Sequence, residues 1–300
     1  MKIFRFIFAA IIAIIFLGCP SRSPGSSIEM VLVPAGSFIM GSDDPDDLEA
    51  QPSHQVTLTQ SFWIGKFPVT QEQFEAVMGT NPSHFTTANG RPPADGETDV
   101  RRPVEFVRWY ETIIFANKLS IKDGFTPAYE ALNETTGEWT TDTSRWGEIP
   151  TGGRRSTRWA VRIVPGSTGY RLPTEAQWEF AARGGEGSPG GFMFSGSNNA
   201  DEVAWHLGNS GEKTREVGLL NPNSLGIHDM SGNVWEWAWD WFGSYTSTHK
   251  IDPMGPASGV DRVVRGGSWF GGELGLRLAV RFRNESYHRW GGIGFRLVRP

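Results

Sequence analysis

The sequence predicts one mixed domain of helices and short strands, with little regular secondary structure and a core built on aromatic clusters. Composition is the first reason: 300 residues hold 37 Gly, 19 Pro and 13 Trp, which favours turns and bulky anchors over long helices. Apolar alternation is the second, because it runs only for short stretches before a turn signal interrupts it. Three helix signals, two of them with their own caps, are the third. No break in composition divides residues 29–300, so they read as one domain. No internal repeat, coiled coil or phosphate-binding glycine pattern occurs.

Lys2 and Arg5 precede the apolar run 6–17, the build of a secretory signal and too short to span a bilayer. The run ends in Phe16-Leu-Gly-Cys19, which resembles a bacterial lipobox with Phe16 where leucine is usual. The resemblance implies a signal peptide over 1–18, lipidation of Cys19, and a membrane contact through that lipid anchor. The expected location is the bacterial cell envelope, at the outer-membrane surface. Cys19 is the only cysteine, so no disulfide forms within the chain. Residues 19–28, rich in Ser and Pro, read as a flexible tether. The formal charge of -5 provides no basic face for nucleic acid.

Residues 29–42 read as two strands about a Pro-Ala-Gly turn, and 55–65 as one alternating strand. Thr70 caps a helix running to Met78, and a second helix spans about 110–120. A hairpin is expected around residues 159–164. Thr174 and Gln177 form a capping box for a third helix, which Gly184 stops. Strand candidates follow at 203–205 and 215–218. Both ends of the final segment, Arg262-Val-Val-Arg-Gly-Gly-Ser-Trp269 and Gly291-Gly-Ile-Gly-Phe-Arg-Leu-Val-Arg299, read as buried strands.

These pieces together resemble the formylglycine-generating-enzyme (sulfatase-modifying factor) family. The matches are residues 30–41, Pro68-Val-Thr-Gln71 with Phe74, Tyr170-Arg-Leu-Pro-Thr-Glu-Ala-Gln-Trp-Glu-Phe180, Gly232-Asn-Val-Trp-Glu-Trp237, Arg265-Gly-Gly-Ser-Trp269 and Gly294-Phe-Arg296, in family order. The resemblance implies an α+β domain with a C-type-lectin-like core. The family's oxidase uses two copper-binding cysteines; their positions here hold Gly271 and Leu276, which have no thiol. No copper and no such oxidase activity are therefore expected. The six histidines show no metal-binding spacing. The resemblance also implies a structural calcium site at Asp229, Gly232, Val234 and Glu236, the middle two through backbone carbonyls. The alternative is that the two carboxylates only bond backbone groups in a tight turn.

A thiol-free version of this fold on a lipid tether implies binding of a protein or glycan ligand. The resemblance extends to variable proteins of diversity-generating retroelements, whose changeable residues lie between fixed ones. Here Arg277, Ala279 and Arg281 would be fixed. Phe270, Glu273, Leu274, Leu276, Leu278, Val280, Phe282, Tyr287, His288 and Trp290 would face the ligand within a binding segment 265–300. The alternation over 276–282 equally describes a strand with one buried face. An envelope scaffold of the secretion or gliding type, or an enzyme of other chemistry, remain the alternatives.

Overall fold

The computed structural model describes residues 27–133, 135–152, 159–188 and 191–300; the leader, Cys19 and most of the tether lie outside them. The chain opens with strands β1 (Met30–Val33) and β2 (Gly36–Met40) on either side of the expected turn. The single strand expected over 55–65 is two, β3 (His54–Leu58) and β4 (Phe62–Gly65). Thr59 breaks it by donating its N–H and hydroxyl to Asp252, at 2.9 and 2.5 Å. Strand β3 then pairs with β2, while β4 pairs with β1.

Helix α1 (Gln71–Met78) carries a reciprocal capping box between Thr70 and Gln73 and ends at Gly79 in the left-handed conformation. Helix α2 (Trp109–Lys122) begins one residue earlier and runs two further than expected. Its start is held by Glu111, which accepts the Arg108 N–H at 2.7 Å, and Lys122 suits the negative end of the helix dipole. After α2 come β5 (Tyr129–Asn133), β6 (Glu138–Thr140) and β7 (Val161–Ile163), in the order β6-β5-β7. The expected hairpin at 159–164 is thus β7, whose partner is the more distant β5. Helix α3 (Glu175–Ala182) has the Thr174–Gln177 capping box, and Gly184 follows it at φ +90°.

Residues 203–205 straddle the end of helix α4 (Ala200–Val203) and the two-residue strand β8 (Ala204–Trp205). Residues 215–218 are not a strand, because no ladder partner receives their N–H groups. Arg215 donates to Asn233 Oδ1 at 3.1 Å, Glu216 to Glu97 Oε2 at 2.9 Å, Val217 to the Arg101 carbonyl at 3.1 Å, and Gly218 to Asp229 Oδ2 at 2.8 Å. Then follow β9 (Ser231–Gly232), β10 (Trp235–Trp241), β11 (Lys250–Ile251), β12 (Asp261–Arg265), β13 (Arg281–Glu285), β14 (Ile293–Gly294) and β15 (Val298–Arg299). The largest sheet has the order β13-β12-β10-β14, antiparallel except for the β10–β14 pair. Strand β15 returns to β4, so both ends of the described chain share the sheet β1-β4-β15. The architecture is α+β.

Apolar packing falls into two main clusters. Helix α2 supplies Trp109, Ile113 and Phe115 to one that includes Trp237 and Phe295; Phe74 of α1 stacks on Phe115 with centroids 5.3 Å apart. Helix α3 supplies Trp178 and Phe180 to the other, against Val33, Val56 and Ile64. Alongside these run buried ion pairs. Arg265 reaches Glu175 at 2.7 Å and Glu179 at 2.8 Å. Arg281 grips both oxygens of Glu175 at 2.7 and 2.6 Å, and Arg183 holds Glu179 at 2.6 Å. Burial by itself would push both carboxyls up, but the guanidinium groups of Arg281 and Arg265 beside Glu175, and of Arg183 and Arg265 beside Glu179, hold them below the usual glutamate value.

Removing one partner from such a network leaves a buried charge uncompensated. Arg265→Met is expected to cost about 3–5 kcal/mol, measured by urea denaturation at pH 7. The two lowered carboxyls give stability that is present above the unfolded glutamate value of 4.5 and is lost as pH falls through their folded values. The parent's stability is therefore expected to fall on acidification below that point.

Candidate ligand-binding surface

The last strand before the candidate segment, β12, stops at Arg265 because Gly266 and Gly267 follow with φ of +97° and +77°. Only glycine fits there. A Cβ on Gly266 would lie 3.0 Å from the Trp178 ring, and one on Gly267 would lie 2.6 Å from Leu276 Cδ2. The chain then emerges at Trp269, whose indole N–H donates to the Gly291 carbonyl at 2.9 Å. The two ends of the segment are thereby tied together.

Three hydrogen bonds set which side chains face in. Leu207 N–H donates to the Gly271 carbonyl at 3.1 Å, Ser231 Oγ to the Leu276 carbonyl at 2.9 Å, and Leu278 N–H to the Met193 carbonyl at 2.9 Å. Phe270, Leu274 and Phe282 are 56%, 61% and 57% exposed. Glu273 and His288 are also exposed, while Val280, Tyr287 and Trp290 are half-buried. Leu276 and Leu278, expected on the ligand face, are instead interior at 0% and 5% exposure. Leu276 packs with Phe194, Ala200 and Val203, and Leu278 joins the cluster around α3. Both lie in apolar clusters beneath the segment, so these two positions are corrected from contact residues to supports.

Of the expected frame residues, Arg281 and Ala279 are buried, and Arg277 is half-buried at the surface. Arg281 is in the Glu175 network, and Arg277 pairs with Asp44 at 3.1 Å. A one-faced strand over 276–282 does not form, because adjacent residues 278 and 279 are both buried and regular pairing begins only at Arg281. The segment leads from a single turn of 3-10 helix, Glu273–Leu276, into β13.

Residues outside the segment join the surface. Leu207 is 49% exposed beside Gly271, and Trp235 lies 5.9 Å from the Phe282 ring. A chain of ring contacts runs from Phe270 through Trp269, Phe85 and His84 to Phe106, with centroids 5.0–6.1 Å apart. Phe106 holds φ at +62°, rare for a bulky side chain. Under this chain sits Glu105, fully buried, accepting the Phe85 N–H at 2.8 Å. Burial pushes its carboxyl up to about 7. Sequence reading missed these residues: Trp235 lay within a recognised motif, whereas His84, Glu105, Phe106 and Leu207 carried no signal of proximity.

The positions of the missing thiols do converge. A Cβ built on Gly271 would lie 4.0 Å from Leu276 Cδ2. The two positions are therefore neighbours, but neither has a sulfur to bind metal.

The side chains do not fit the calcium ion implied by the motif. Glu236 accepts from Arg296 at 2.6 and 2.8 Å and from the Trp178 indole at 2.7 Å, which takes three of its four acceptor positions. Arg296 also donates to the Asp229 carbonyl at 3.2 Å. Asp229 accepts the Gly218 N–H at 2.8 Å, and burial pushes its carboxyl up. Gly232 packs against Trp205, its missing Cβ only 2.3 Å from that carbonyl, and Val234 is buried. A guanidinium already neutralises Glu236. Among the described residues no group of three or more His, Cys, Asp and Glu could hold a metal.

Residues 18–300 match the model of the family described as sulfatase-modifying factor enzyme 1-like domain. The chain belongs to this family. Members similar to it include "Chaperone protein LppX" of Paenibacillus barcinonensis, 38% identical, covering 88% of this chain and 87% of that one. The formylglycine-generating enzyme of Thermomonospora curvata is 30% identical, covering 93% and 96%. Among solved structures, Treponema denticola variable protein 1 superposes with a TM-score of 0.80 at 37% identity, covering 90% of this chain and 95% of that one. The sulfatase-modifying-factor fold therefore occurs both in enzymes and in relatives whose names describe other roles.

Two measurements check this site. Excess EDTA is expected to move the thermal midpoint by less than about 1 °C, whereas a stabilising calcium ion would shift it by several degrees. The raised Glu105 value means the folded state keeps a proton that the unfolded state has released between 4.5 and about 7. The stability this proton confers is complete below 4.5 and lost as pH rises to about 7. Glu105→Gln is expected to gain on the order of 2–3 kcal/mol relative to the parent between pH 4 and pH 8, followed by denaturation at each pH.

Proposed function

We propose that this protein is a lipid-anchored envelope protein that holds a protein ligand on the surface formed by Phe270, Leu274 and Phe282 with their neighbours. The observation that carries the reading is the sorting of the segment. Leu276 and Leu278 are interior, yet the three residues just named stay more than half exposed. An apolar group of this kind held out on a rigid frame is a cost in water unless something covers it. Apolar and aromatic side chains predominate over polar ones, which suits a protein epitope better than a glycan.

The absence of a thiol at Gly271 and Leu276 argues for binding instead of the family's oxidation chemistry. Similarity to a protein named as variable supports the idea that the exposed positions are diversified. The leader with Cys19, and the similarity to LppX, support attachment to the envelope through lipid, at the outer-membrane surface. The name of that relative favours a second reading, in which the bound protein is a client held during folding or export.

The test uses cells producing the full chain, probed with a panel of purified extracellular proteins. Capture of a ligand is expected, with loss of at least about tenfold in affinity in the triple variant Phe270→Ser, Leu274→Ser, Phe282→Ser. The variant's melting point should hold, since all three side chains are exposed. Cys19→Ala should release the protein from the membrane fraction. Undiminished capture by the triple variant, or conversion of a sulfatase-type peptide cysteine to an aldehyde by the parent, would defeat the proposal.

A further inference from the structure

A cavity of about 400 Å3 lies beneath the loop of residues 243–256. Its size is in the range that takes a small organic molecule. Met40, Trp241, Ile251, Met254 and Pro256 give it largely apolar walls. At its floor are Glu175, Arg281 and Asp240, each 4% exposed or less. Most of these polar groups are committed. Glu175 accepts from Arg265, Arg281 and the Tyr245 hydroxyl. Arg281 also donates through Nη1 to the Gly243 and Glu49 carbonyls at 2.6 and 3.3 Å.

Asp240 is different. Its Oδ2 accepts the Glu175 N–H at 2.9 Å, in the first turn of α3. Its Oδ1 lies on the side of Gly255, another residue of the cavity lining. The loop passes so close that a Cβ on Gly255 would lie 2.8 Å from Asp240 Cβ and 3.0 Å from Oδ1, and Gly255 holds φ at +74°. A glycine at that point lets the loop backbone close over the carboxyl, where any side chain would clash with it.

We propose that this cavity is a binding site for a small, mainly apolar primary amine, with its ammonium group on Asp240 and its hydrocarbon part between Met40, Trp241 and Met254. An ammonium supplies both the charge and the donors that a buried carboxylate lacks. An anion would meet Asp240 and Glu175 with no uncommitted guanidinium at the floor. Burial first, then the charge of Glu175, pushes the Asp240 carboxyl up to about 7, with Arg281 and Arg262 opposing. Lys250 and His54 stand on the cavity wall, and Tyr245 is held by Glu175. Binding of a cation therefore draws a proton off Asp240 and weakens as pH falls below about 7.

The probe is 2-phenylethylammonium chloride, titrated into the full-length protein in a calorimeter, with 2-phenylethanol as the uncharged control. Binding of the amine at pH 8 is expected to be at least about tenfold tighter than that of the alcohol, and about tenfold tighter than at pH 6. Asp240→Asn should weaken the amine at least about tenfold. Because that residue is buried, a second variant at the exposed mouth, Ser244→Trp, blocks the cavity and should abolish binding with an unchanged melting point. No heat from the parent at 10 mM amine overturns the proposal. So does equal affinity for amine and alcohol, or undiminished binding by either variant.

Discussion

Everything displayed by this molecule depends on a set of guanidinium–carboxylate pairs closed off from water. Glu175 and Glu179 project from α3, and Arg265 and Arg281 from neighbouring strands meet them at 2.6–2.8 Å. Glu236 and Arg296 form a similar pair nearby, shared with the Trp178 indole. Such pairs contribute little net energy against an apolar alternative, but they punish misalignment severely. Their geometric demand fits a chain with short strands and few helices, where apolar packing by itself would permit many arrangements. The two arginines bracket residues 266–280 of the candidate segment, and each is fixed by the same helix.

That bracket explains how a segment with little ladder pairing holds apolar side chains in water. Arg265 anchors the entry and also donates to the Leu278 carbonyl at 2.6 Å. Arg281 anchors the start of β13, and the Trp269–Gly291 hydrogen bond closes the outer loop. Leu276 and Leu278 seal the floor. With the backbone fixed and the interior filled, the remaining side chains have nowhere to go but outward. Substitution at Phe270 or Leu274 would change the surface without disturbing the frame, the property a changeable binding face requires.

The arrangement also separates two kinds of chemistry. Gly271 and Leu276 lie beside one another, and neither carries a thiol. Beneath residues 243–256, by contrast, ionisable groups gather around a cavity. At the calcium motif an internal arginine provides the positive charge. In each place the residue types, more than the path of the backbone, decide what can occur.

Much of this could be read directly from the chain. Thr70, Thr174 and Gln177 announced helix starts because capping is local chemistry, complete within four residues. Ordered motifs carried the family and with it the α+β class, and Gly271 and Leu276 stand without a thiol where the resemblance implies the oxidase's cysteine pair. The break at Thr59 and the irregular path of 215–218 were hidden, since each depends on side chains distant in sequence: Asp252 for one, Glu97, Asn233 and Asp229 for the other. The same limit applied to the surface. Leu274 and Leu276 are chemically identical, and only the position of Phe194 and Ala200 beneath one of them sends it inward. Composition and motif therefore determined the family and the residue types on hand, and tertiary contact determined which side chains meet the solvent, because burial is a property of neighbours that no single residue carries.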